Sequence, residues 1–124
     1  MDIFDIVERG DLEYLKKAVS KGASINVKDN FGRTPLHEAC WFGHLEVIKY
    51  LIEKGAGVNV KNKHGRTPLH LVIVYDYWNI VKYLLEKGAE YEEVLETLSE
   101  EKREKLEKII LLEIADMKIK FIHS

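Results

Sequence analysis

Six residues, GRTPLH at 32–37, return unchanged at 65–70, 33 residues later. The register extends well beyond that segment. KGA occurs at 21–23, 54–56 and 87–89, and INVK at 25–28 is echoed by VNVK at 58–61. Leu15, Ile48 and Val81 fall in step, as do Lys16, Lys49 and Lys82, and Ala18, Leu51 and Leu84. Gly10 matches Gly43. A unit of this length is too short to enclose a core of its own. Copies must therefore stack and bury their apolar faces against each other.

The fixed letters spell out one unit. Thr34 and Thr67 stand where a helix N-cap hydroxyl accepts from the amide three residues on. Pro35 and Pro68 come next, at the first helical position, where a missing N–H costs nothing. Leu36, Ala39 and Cys40 share one face of a short helix, and Gly43 suits the left-handed cap that ends it. Leu45, Ile48, Leu51 and Ile52 line a second amphipathic helix, which Gly55 closes. The stretch GAGVNVKNKHG at 55–65 then supplies extended arms and a tight turn into the next unit.

With these residues in place the sequence resembles the ankyrin-repeat family over about residues 1–91. The resemblance implies an all-α solenoid of about three helix-turn-helix repeats carrying short β-turn fingers. Its expected units are residues 1–31, 32–64 and 65–97, succeeded by a C-terminal capping helix and tail at 98–124. In the third unit Ala39 and Cys40 become Val72 and Ile73, and Gly43 becomes Asp76, which enters the left-handed region at some cost. Bulk at these places argues against a fourth repeat. Ser99 begins half of a capping box. Leu106, Ile109, Ile110, Leu112, Ile114 and Met117 predict a helix from about 100 to 117. The closing KIKFIHS alternates, as a short strand or a frayed tail would.

Composition narrows the function. The chain is 46% hydrophobic and 32% charged with a net charge of −2, which fits a globular protein and disfavours a dedicated nucleic-acid binder. No apolar run approaches membrane-spanning length. The N-terminal MDIFDIVERGD is acidic and helix-patterned, unlike a secretory or transit signal. A lone cysteine, Cys40, fits a reducing cytoplasm. His37 and His70 belong to the copied segment, about 10 Å apart on successive packed helices, too far to share one metal. The resemblance implies that they bond backbone across units. Cys40 reads as a core thiol. Seven Glu against three basic residues at 92–107 read as a solvated helix face, without cation-ligand spacing. No cofactor, metal or enzymatic activity is expected.

The residues just after the copied segment drift: EACWFGH at 38–44 becomes LVIVYDY at 71–77. The resemblance implies that partners are gripped by turn tips and by the exposed side of the first helices. Carried onto this chain, those positions give Phe31, Arg33, Trp41, Phe42, Lys63, His64, Arg66 and Tyr75 as partner-binding residues. Phe42 and Tyr75 are expected as adjacent rungs of an aromatic ladder with Trp41 beside them. The alternative for Trp41 and Phe42 is packing onto a neighbouring unit. Around the tips Lys28, Arg33, Lys61, Lys63 and Arg66 face Asp29 alone. The expected partner is another protein, with an acidic or phosphorylated segment favoured. Self-association as a homodimer through the C-terminal helix is the second reading. Nucleic-acid binding by the basic tips is a weak third.

Overall fold

The computed structural model describes residues 2–123, which form eight helices. The first unit supplies α1 (Ile3–Arg9) and α2 (Leu12–Ser20), the second α3 (Pro35–Phe42) and α4 (Leu45–Glu53), and the third α5 (Pro68–Val74) and α6 (Trp78–Glu86). Each pair is antiparallel, and the first helices α1, α3 and α5 stack in order, with α2 and α4 packed behind them. Then come α7 (Glu92–Thr97) and α8 (Glu100–His123). Among the described residues there is no β-strand.

The copied threonines, histidines and apolar residues have contacts that explain them. Thr34 caps α3, its hydroxyl accepting from His37 N at 3.3 Å, while its own N–H donates to His37 Nδ1 at 3.1 Å. Since Nδ1 accepts, the proton sits on Nε2, which donates to the Arg66 carbonyl of the next unit at 3.0 Å. The Thr67 N–H likewise donates to His70 Nδ1 at 3.2 Å. Leu36, Ala39 and Cys40 are fully buried, as are Val72 and Ile73. One core runs from Ile3 through all three units to Val94 of α7 and Leu106 of α8.

The shared asparagines of INVK and VNVK are clamps between units. The Asn26 amide donates to the Gly55 carbonyl and accepts from Gly57 N, both at 3.2 Å. Asn59 repeats this with Gly88 at 3.1 Å and Glu90 at 2.8 Å. Gly43 ends α3 at φ 71°, and a Cβ there would meet the Tyr77 ring at 2.8 Å. Asp76 takes the same left-handed conformation at φ 60° and accepts from Trp78 Nε1 at 3.1 Å.

The C-terminal region departs from the expectation in two ways. A helix, α7, precedes the cap, and α8 continues to His123, so KIKFIH is neither strand nor frayed tail. An ion pair between Lys120 and Asp116 at 3.1 Å, one turn apart, supports the added turns. Ser99 caps the start of α8, accepting from Lys102 N at 3.4 Å. The Lys102 side chain crosses to the end of α5, donating to the carbonyls of Ile73 at 3.4 Å and Val74 at 2.8 Å. A cation on the last carbonyls of a helix closes it as a further repeat would not.

Candidate partner-binding surface

Two turns project beside the first helices and set the site. The finger before α3 turns at 29–32 and the finger before α5 at 62–65. Each is closed by a main-chain bond, Gly32 N to Asp29 O and Gly65 N to Asn62 O, both 3.0 Å. They are tied to each other by Lys63 N donating to the Phe31 carbonyl at 2.9 Å. Between the fingers and the helices α3 and α5 lies a cavity of about 610 Å³. Phe31, Arg33, Trp41, His64 and Arg66 line it, together with His37, Glu38, Asn62 and Leu71. Five of the eight residues expected to bind a partner thus meet around one concavity.

The other three lie apart in instructive ways. Tyr75 meets the Trp41 ring edge-to-face, with centroids 5.2 Å apart at 61°, and stacks against Tyr77 at 6.1 Å. Phe42 is not the rung beside Tyr75. Its ring stacks on His44 at 6.1 Å and faces the first unit near Asp5, Glu8 and Arg9. Equivalent positions on stacked helices are about 10 Å apart, too far for ring contact, so the neighbouring residue Trp41 makes it instead. The side chain of Lys63 is exposed at the finger tip, outside the cavity lining. Trp41 is 45% exposed and Phe42 38%, so neither is absorbed by its neighbours.

The charges around the tips are unequal. The Arg33 guanidinium is held by Asp29, Nε to Oδ2 at 2.7 Å, and stands over the Phe31 ring at 5.1 Å from its centroid. Burial pushes the Asp29 carboxyl up, but hydrogen bonds from Arg33 and Phe31 together outweigh it and hold the group below its usual range. Lys61 is paired with Glu93 at 2.6 Å. Of the five cations expected at the tips, Lys28, Lys63 and Arg66 therefore remain without an ion pair among the described residues. That smaller positive field weakens the nucleic-acid reading. Burial raises the Glu38 carboxyl above its usual range, with Arg33 partly offsetting it.

The remaining titratable groups have structural settings. Burial lowers both His37 and His70; the Arg66 carbonyl offsets this at His37, whereas the Arg66 charge lowers His70 further. Both rings are neutral hydrogen-bonding pieces of the stack near neutral pH. Cys40 is fully buried, and burial pushes its thiol far up, away from nucleophilic behaviour. His44 bonds the Glu8 carbonyl through Nε2 at 2.8 Å, linking the first two units. Among the described residues no cluster of three or more His, Cys, Asp or Glu could hold a metal ion. No described helix is long and apolar enough to cross a membrane.

A comparison with curated proteins found no match. Residues 3–94 match the family model for ankyrin repeats in three copies, the span that contains both fingers and all three stacked helix pairs. The chain belongs to the ankyrin-repeat family.

Proposed function

We propose that this protein is a non-catalytic module that grips a segment of another protein between its fingers and first helices. Phe31, Arg33, Trp41, Phe42, Lys63, His64, Arg66 and Tyr75 form the binding surface, and an acidic or phosphorylated segment is the favoured partner. Ankyrin repeats are generally protein–protein interaction modules. The observation that carries the reading is the Trp41–Tyr75 pair: two large rings in contact at 5.2 Å yet 45% and 41% exposed beside a cavity. Folding does not require aromatic residues at either place, and exposed aromatic clusters are the material of binding hot spots.

The test is affinity capture from the source organism, identification of the captured protein by mass spectrometry, and comparison with a Trp41→Ala/Tyr75→Ala variant. That variant is expected to stay folded, losing only about 1 kcal/mol for the ring pair. Partner affinity should fall about thirtyfold, the cost of truncating a central aromatic hot spot. Parental affinity in the folded variant would place the site elsewhere.

A second reading rests on α8. Beyond Ile110 the helix no longer contributes to the core, although Lys82 of α6 still shares a shallow cavity with Leu112, Asp116 and Ile119. Leu111, Leu112, Met117, Ile119 and Ile122 are each more than half exposed. A second copy of this chain is the occupant that would cover them.

A further inference from the structure

The two fingers fold alike and differ in charge. In the first, the Asp29 carboxylate accepts from Phe31 N and Arg33 N at 2.9 Å each, and from Arg33 Nε at 2.7 Å. In the second, the Asn62 side chain makes the same two turn contacts, accepting from His64 N at 2.9 Å and Arg66 N at 3.0 Å. An amide oxygen satisfies the turn as well as a carboxylate does, so the fold is indifferent to the change. The neighbouring arginine is not. A second acid is lost at the same time: Glu38, close enough to Arg33 for their charges to interact, is replaced one repeat later by Leu71. Arg33 thus has a carboxylate on its guanidinium and another nearby. Arg66, at the same place in the next unit, has Asn62 and Leu71 at the two corresponding positions and forms no ion pair among the described residues.

We infer that Arg66 is the anchor for a single carboxylate on an acidic protein segment bound in the cavity, with Asn62 and Leu71 keeping that guanidinium unpaired. The inference rests on the reading of the cavity as a partner interface and names its chemistry. A planar guanidinium takes a carboxylate through two parallel bonds. Trp41, Phe31 and Leu71 line the same cavity and receive the apolar side chain next to that carboxylate. A carboxylate fits better than a phosphate because Glu38 also lines the cavity. A dianion doubles the attraction to Arg66 and the repulsion from Glu38 alike, whereas a monoanion is balanced by the one unpaired guanidinium and leaves no net negative charge beside Glu38. Arg33, already neutralised by Asp29, is a supporting wall and not a second anchor.

The probe is a short capped peptide of repeating Glu-Ser-Leu, compared with its Gln-Ser-Leu counterpart. Binding is tracked through the Nε–Hε resonances of Arg33 and Arg66 and the ring resonances of Trp41 and Phe31. The Glu peptide should shift Arg66 and leave Arg33 in place, with about tenfold higher affinity than the Gln peptide. Asn62→Asp rebuilds the ion pair of the first finger, so it should cost about tenfold in Glu-peptide affinity without changing the melting temperature. Asp29→Asn should make the Arg33 resonance respond. Equal binding of the two peptides, or unchanged affinity in Asn62→Asp, overturns the anchor. If the rings then still shift, the interface reading survives alone; silent rings and arginines with both peptides sink the two together. A phosphoserine peptide that binds tighter than the Glu peptide overturns the choice of carboxylate.

Discussion

Two imidazoles 33 residues apart hold their own threonines in the same way, yet only His37 is bonded to a carbonyl of the adjoining unit. Replacing His37 with Ala leaves the Thr34 N–H without a partner and removes one of two donors from the Arg66 carbonyl, which Asn62 N still reaches at 2.9 Å. The expected cost is about 2 kcal/mol. His70→Ala, which breaks no bond between units, should cost about 1 kcal/mol less. Urea midpoints of the two variants measure the difference, and equal midpoints would refute the cross-unit role. Protonation tests the same bond. Both folded imidazoles titrate below the ordinary 6.5 because they are buried. Below that pH the unfolded chain binds more protons than the folded one. The stability they confer is thus complete above about pH 6.5 and declines as pH falls towards the lowered folded values. Wild type should lose more stability than His37→Ala across that window. Asp29, also lowered, acts in a separate window that opens only below its ordinary 3.8.

At the scale of elements, α8 stands in for a missing repeat. Leu106 is fully buried against the third unit, and Lys102 holds the last carbonyls of α5. A chain ending at Thr97 should expose Val72 and Ile73 and either lose solubility or melt far below the parent. The milder Leu106→Ala should cost about 2–5 kcal/mol, read from thermal unfolding; a loss under about 1 kcal/mol would deny α8 its capping role. The repeats could be read from sequence because their caps, prolines and glycines act locally. Partners one repeat away could not. INVK and VNVK match letter for letter at Asn26 and Asn59, but nothing local shows that those amides reach Gly55 and Gly88. The α7 helix has no side-chain cap to announce it. The alternation of KIKFI fits a strand over so short a window, and α8 overrides it because helix already runs into it. In the candidate surface the exposed aromatics could be named from sequence, while their geometry could not: register alone pairs Phe42 with Tyr75, and the contact belongs to Trp41.

The whole molecule is a short stack with a long handle. At 24 residues α8 extends about 36 Å, and past Ile110 it adds no side chain to the core, though Lys82 of α6 still borders it. Ile110, Ile114 and Met117 fall at steps of four and three, so one stripe continues the face that buries Leu106. Such spacing is the seam of paired helices. A symmetric pair of these handles would bury roughly 1,000 Å² in total, the low end for a specific interface. The expected dimer is therefore micromolar. Sedimentation equilibrium between roughly 10 and 500 μM should show the mass rise from 14.4 kDa towards twice that value. Ile114→Glu/Met117→Glu places charge in the seam at two exposed positions that the stack does not use. It should hold the protein at the monomer mass without lowering its melting temperature. A parent that stays monomeric at the highest concentration would remove the second reading and leave the finger surface as the site of assembly. Because that surface and the handle lie on different elements, a true dimer should still bind the Glu peptide through Arg66 with the affinity of the Ile114→Glu/Met117→Glu monomer.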